Sequence, residues 1–244
     1  MEYKNSLGQP IGAPVPTWTE RRKPPRLAVR GHYAAVEPLD PRMRGAELFE
    51  AAAEDKDGRM WTYLPYGPFV TREAYAGWMY LTCMGDDPQF YSIVDLKGGA
   101  VGIASLMRVD PKGGSIEVGH ISLSPRGQRS RVATEAMFLM MRRAFDELAY
   151  RRYEWKCDAL NGPSRAAAER LGFSHEGVFR QATMYKGRNR DTAWYAVIDK
   201  EWPFLKRAFE VWLKPENFDA DGQQKVRLSV LTAEALVAAW APVV

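Results

Sequence analysis

Between Ser115 and Leu148 the apolar positions change their period. Ile116 and Val118 lie on one strand parity, Ile121 and Leu123 on the other. One extra residue at Gly119–His120 would return all four to a common face, so the pattern predicts a β-bulge there. After Pro125 the spacing becomes helical, through Ala133, Ala136, Met137, Met140, Met141, Ala144, Phe145 and Leu148. Apart from Glu135, Arg142, Arg143, Asp146 and Glu147 this helix is apolar nearly all round, which predicts deep burial.

The same reading covers the rest of the chain. Met1–Arg26 is proline-rich and basic, an extended arm. Strand character follows at Leu27–Arg30 and Tyr33–Leu39. Helices run from Pro41, capped by Asp40, to about Glu54, and from Arg72, after Thr71, to about Met84. Gln89–Asp95 and Ala100–Val109 form a hairpin that feeds the bulged strand. Arg152–Cys157 alternates, with Tyr153, Trp155 and Cys157 on one face. A strand, a long helix and a strand imply parallel pairing through a right-handed crossover. Asn161–Leu171 is a short helix stopped by Gly172. Phe173–Tyr185 and Asp191–Lys200 form a last hairpin around Gly187-Arg188-Asn189. The class is α+β, with a mixed sheet and one parallel crossover at its centre. Residues 27–203 form the domain, 1–26 the arm and 204–244 a helical extension, in which Phe204–Leu213 and Arg227–Trp240 are helical with Thr232 as a cap. An apolar C-terminal segment of this kind docks on its own domain or on a second copy, so a homodimer is one expectation.

Composition adds less. A chain of 244 residues holds one sizeable core. No apolar run reaches bilayer length, and the N-terminus has no hydrophobic signal core. Cys83 and Cys157 are too few and too far apart for a disulfide framework or a metal cluster, which fits a reducing cytoplasm. With His32, His120 and His175 outside any ligand spacing, no metal is expected. A net charge of +4 suits an anionic small molecule and falls short of demanding nucleic acid.

Where the bulged strand meets the helix stand Arg126, Arg129, Ser130 and Arg131. Amides at a helix start lack intrahelical acceptors, and the helix dipole adds positive character, so this turn is an anion site, a phosphate above all. Here the chain resembles the GCN5-related N-acetyltransferase (GNAT) superfamily, whose coenzyme A loop has the pattern Q/R-x-x-G-x-G/A. Arg126-Gly127-Gln128-Arg129-Ser130-Arg131 matches at the first position and carries Arg129 and Arg131 where the family has glycine. Ala133-Thr134-Glu135-Ala136, Asn161-Gly162-Pro163-Ser164 and Leu171-Gly172-Phe173 resemble the ribosomal-protein N-acetyltransferase branch. The resemblance runs from about Arg30 to Pro203. It implies a three-layer fold, with a mostly antiparallel sheet and helices on both faces, that transfers an acetyl group from acetyl-CoA to a primary amine.

The resemblance implies site residues. Ile121, Ser122 and Leu123 would line the pantetheine arm. Arg126, Arg129, Ser130, Arg131, Val132, Ala133 and Thr134 would hold the diphosphate, and Asn161 and Ser164 would contact the arm. Glu117 is the expected base, with His120 as alternative or relay, and Ser164 the donor to the departing thiolate. Between the first two helices, Trp61, Tyr63, Tyr66 and Phe69 make an aromatic connection. It is either core or one wall of the acceptor pocket, and the resemblance favours the wall, formed by Trp61, Tyr63 and Tyr66. A rival class is a non-catalytic module holding CoA, a nucleotide or an RNA phosphate on the arginine turn. Against RNA, the basic residues form no continuous stripe and show no aromatic interleaving.

Overall fold

A computed structural model of the chain describes residues 2–241, so residues 1 and 242–244, at the outer ends of the expected arm and extension, lie outside the described residues. The arm carries a small hairpin, β1 (Tyr3–Lys4) with β2 (Pro10–Ile11). It then lies against the body, where Trp18 Nε1 donates to the Lys112 carbonyl and the Tyr150 hydroxyl to the Arg22 carbonyl. An eight-stranded sheet carries the rest. Its spatial order is β3 (Val29–Arg30), β4 (Ala34–Pro38), β5 (Gln89–Asp95), β6 (Gly99–Asp110), β7 (Ser115–Leu123), β8 (Arg152–Asp158), β10 (Arg188–Ile198) and β9 (Ser174–Tyr185). Neighbours are antiparallel except β7 and β8, which the crossover makes parallel.

The bulge is present. Ser105 pairs with Gly119 and Ile103 with Ser122, so Ala104 alone faces His120 and Ile121. The extra residue falls at His120–Ile121, one place beyond the expected pair, and His120 takes φ +50°. Ile116, Val118, Ile121 and Leu123 all turn to one core as a result.

Helices cover both faces. α1 (Pro41–Ala52) and α2 (Arg72–Thr82) close one core with Trp61, capped by Asp40 and Thr71. On the other face lie α3 (Arg131–Arg142), α4 (Gly162–Arg170), α5 (Trp202–Trp212) and α6 (Leu228–Trp240). Residues Val132–Met141 of α3 are buried without a break. That burial accounts for the all-round apolar pattern, and each large side chain contributes roughly 1.5–3 kcal/mol. The helix ends in a π segment, Arg143–Glu147. Glu135 is buried within it because three amides need its carboxylate: those of His32, Tyr33 and Ala34 donate at 2.8, 2.6 and 2.6 Å.

Two expectations are corrected. The last hairpin turns at Lys186-Gly187, both left-handed, with Tyr185 opposite Arg188. A two-residue turn of this hand matches strand twist, so Arg188, Asn189 and Arg190 belong to β10. Thr232 caps nothing: α6 begins at Leu228, and the buried Thr232 hydroxyl donates back to the Leu228 carbonyl. Of the two docking modes expected for the C-terminal segment, α6 adopts the first, against α5 of its own chain.

Candidate active site

Pairing between β7 and β8 stops at Val118 and Trp155. Both strands continue, β7 to Leu123 and β8 to Asp158, and part from one another. The bulge opens on this split: Gly119, Ser122 and Leu123 still pair with β6, while the β8 side of Gly119–Leu123 has no ladder partner and borders a slot. Ile121 and Leu123 turn their side chains into the core, and Ser122, 3% exposed, has a hydroxyl without a protein partner.

β7 delivers the chain to the α3 mouth through a tight loop. The Gly127 and Gln128 amides donate to the Ser124 carbonyl, and the Ser124 amide donates to the Val101 carbonyl, which seats the loop on β6. A Cβ on Gly127 would stand 2.8 Å from the Val101 carbonyl oxygen, so only glycine fits. Ser130 caps α3, accepting from the Ala133 amide at 3.0 Å. Among the described residues the amides of Arg129, Ser130, Arg131 and Val132 donate to no protein acceptor. Four consecutive free N–H groups at a helix mouth form an anion cradle. Arg129 supports it in the left-handed conformation, φ +55°, which glycine adopts without steric cost.

The loop's other side chains fare differently. Arg126 is turned away, held by Glu54 at 3.1 Å and by the Ala100 carbonyl. Arg131 lies with its guanidinium over the rings of Tyr33 and Phe218, 4.9 and 4.5 Å from their centroids. The amides of Ala133 and Thr134 are spent on Ser130. Arg126, Ala133 and Thr134 therefore stand behind the cradle, not in it. Among the described residues Arg129 has no ion-pair partner.

At the far end of β8, Asn161 caps α4 by accepting from the Ser164 amide. Ser164 Oγ accepts from Trp155 Nε1 at 3.0 Å, which leaves its own proton to give. Asp158 is 5% exposed and accepts from the Leu160 amide and the Tyr185 hydroxyl, at 2.8 Å each. Burial first, and then that hydrogen bond, push the Tyr185 phenol up to about 12.

Glu117 is 2% exposed and doubly paired. Arg108, set in a left-handed bulge whose amide the Asp87 carboxylate holds, reaches Glu117 Oε1 at 2.7 Å. Lys156 Nζ lies 2.8 Å from Oε2, off a good hydrogen-bond direction, and 2.7 Å from Glu154. Its carboxylate is thus committed to two cations. His120 sits in the bulge itself, its ring 4.9 Å from Phe90 and stacked at 5.7 Å on Tyr66. Burial, then the charges of Arg108 and Arg190, push its imidazole down to about 4, so it is neutral at pH 7.

The aromatic connection divides. Trp61, 4% exposed, is boxed by Tyr66, Phe69 and Tyr75 and is a core residue, which corrects its expected place in the pocket wall. Its carbonyl nonetheless accepts from Lys186 Nζ at 2.7 Å, and the Tyr63 hydroxyl donates to the Leu160 carbonyl at 3.1 Å. These two bonds tie the connection across the end of the split to the β8–α4 loop and the outer hairpin. Tyr66 faces His120 with its hydroxyl buried and unpartnered. The outer hairpin also brings Tyr185 and Arg190 to this end, and neither carried a local sequence signal. Placing the turn at residues 187–189 left Arg190 outside any strand.

A bulged strand parting from its parallel neighbour beside a helix mouth is the geometry of an acyl-CoA-binding acetyltransferase fold, and comparison with known proteins agrees. The Acetyltransferase (GNAT) domain family matches residues 41–174. A GCN5-related N-acetyltransferase from Brucella melitensis is 47% identical with a TM-score of 0.87, covering 90% of this chain and 100% of that one. A Chromobacterium violaceum protein described as a probable acetyltransferase of the GNAT family is 40% identical with a TM-score of 0.74, covering 80% and 98%. YdaF of Bacillus subtilis, named "Putative ribosomal N-acetyltransferase", is 29% identical over 105 residues, 43% of this chain and 57% of its own length. The chain thus spans little more than half of that curated relative. The chain belongs to the GNAT acetyltransferase family.

Proposed function

We propose that this chain transfers an acetyl group from acetyl-CoA directly to a primary amine of a small molecule, peptide or protein N-terminus. The observation that carries this reading is the cradle of four free amides, Arg129–Val132, opening beside the β7–β8 split. A diphosphate fits the cradle, with Arg129 adding charge, and a pantetheine arm fits a slot along the β7 edge that has lost its β8 partner. Bound acetyl-CoA would supply an activated acyl group as its thioester. Backbone groups of Gly119–Leu123 bind and orient in the slot, and Asn161 and Ser164 close its far end.

His120 is the proton acceptor we infer for the incoming amine, a weak base chosen for its position and not for its pKa. It is neutral and sits at the split, whereas Glu117 is committed to Arg108 and Lys156. The Ser164 hydroxyl holds a proton for the departing thiolate. Two buried free cysteines fit a cytoplasmic setting, and among the described residues no helix is long and apolar enough to cross a membrane.

Thiol release from acetyl-CoA, screened over amino acids, small amines and peptides, tests the reading. Thermal shifts with acetyl-CoA and CoA should exceed those with ATP or short RNA. Shifts with RNA or ATP alone, and no thiol release, would make the chain a binding module instead.

A further inference from the structure

Most cations around the split already have an acceptor: Arg108 on Glu117, Lys156 on Glu117 and Glu154, Arg126 on Glu54, Lys186 on the Trp61 carbonyl. Arg190 does not. Its Nε is buried without a partner, and among the described residues its guanidinium makes no ion pair or hydrogen bond. Nearby acids cannot serve it. Asp158 is filled by Tyr185 and the Leu160 amide. Asp191 is next in sequence but on the opposite strand face, where it accepts from the Gln181 amide and Asn189. The register of β10 on β9 shifts between Arg190 and Thr192, with the extra residues on β9. Along β10 itself Arg190 stands two and four residues from Thr192 and Trp194, which oppose Asp158 and Lys156 on β8, and so shares the face of Asp158, Lys156 and Glu117. Its guanidinium lies 6.0 Å from the Tyr185 ring, and its charge is felt at His120 and Cys157, on the two strands that part.

We propose that Arg190 is the acceptor-carboxylate subsite, so that the preferred acceptor is a small amine bearing its own carboxylate, such as a free α-amino acid. The inference rests on the acyl-transfer reading above and names its acceptor class. A half-buried guanidinium without a counter-ion is costly, and an incoming carboxylate pairs it bidentately. With the surrounding cations committed, one free charge suits a monoanion better than a phosphate dianion. A peptide N-terminus, whose α-carboxyl has become an amide, offers nothing to this group.

The test is thiol release from acetyl-CoA with matched acceptors: α-amino acids, their carboxamides, short peptides and an aminoalkyl phosphate. Free acids should exceed their amides roughly ten- to hundredfold in kcat/KM, mostly through KM. Arg190→Met should bring the acid down to the amide's level, and Arg190→Lys should keep part of the preference. Equal use of acids, amides and peptides, preference for the phosphate, or equal losses on acid and amide in Arg190→Met would overturn the proposal. If no amine is turned over, the acyl-transfer reading fails separately. Calorimetry with an N-acetyl amino acid then decides for Arg190: binding lost in Arg190→Met supports the subsite, and no binding to the wild type sinks it.

Discussion

The two ends of the β7–β8 split are made of different material. At the α3 mouth the working groups are backbone amides, those of the consecutive residues Arg129–Val132. At the acceptor end they are side chains gathered from distant segments: His120 of β7, Tyr63 and Tyr66 of the aromatic connection, Asp158 of β8, Tyr185 and Arg190 of the outer hairpin. A backbone-built site tolerates exchange of its side chains, so Arg129 and Arg131 stand at the glycine positions of the resembled loop pattern without closing the cradle. A side-chain-built site changes with every substitution, and there one fold can serve many acceptors.

The comparison can be strained from either end. The largest effect is expected from Glu135→Ala, which strips three amides, that of Ala34 buried, of their acceptor and loosens the β3–β4 hairpin that sets Tyr33 over Arg131. A loss of roughly 4 kcal/mol should lower the melting midpoint by about 10 °C. A drop under 2 °C would mean that those amides find other partners.

Next comes His120. His120→Gln should cut kcat about a hundredfold or more with CoA affinity unchanged, whereas an effect below fivefold would remove it as proton acceptor. Its depressed pKa also makes a stability statement. The unfolded chain binds the proton near 6.5 and the folded chain only near 4, so this stability is fully present above pH 6.5 and is lost as pH falls towards 4. Denaturant midpoints of wild type and His120→Gln should diverge across that window by about 3 kcal/mol, the wild type losing more.

Gly127→Val should push the loop off the Val101 carbonyl and weaken CoA binding by about ten- to a hundredfold, leaving the acceptor end intact. Calorimetry with CoA measures it; unchanged affinity would show that the loop's seat on β6 is dispensable. The smallest effect is expected from Arg129→Glu. An exposed charge beside an amide cradle should cost only about fivefold in CoA affinity, most of it gone at high salt. A hundredfold loss would mean that side-chain charge dominates the mouth after all.

This difference also decides what could be read in the sequence. The bulge was legible within one residue because a parity slip from Ile116 and Val118 to Ile121 and Leu123 has one simple cure. The buried crossover helix was legible from its all-round apolar pattern. The acceptor end was not. Trp61 and Tyr66 look alike in a string of aromatics, yet one is core and the other stacks on His120. A two-residue turn at Lys186-Gly187 hid Arg190 inside a supposed loop. Pairing of Glu117 with Lys156 was hidden because it required the parallel register of β7 and β8.

Amide-resolved NMR of the full chain during a CoA titration tests the cradle and the split most directly. The N–H signals of Arg129, Ser130, Arg131 and Val132 should move furthest and together, with those of Gly119–Leu123 following and those of Ala133 and Thr134 moving less. CoA binding that leaves Arg129–Val132 unmoved, or shifts confined to arginine side chains, would contradict a grip made of backbone.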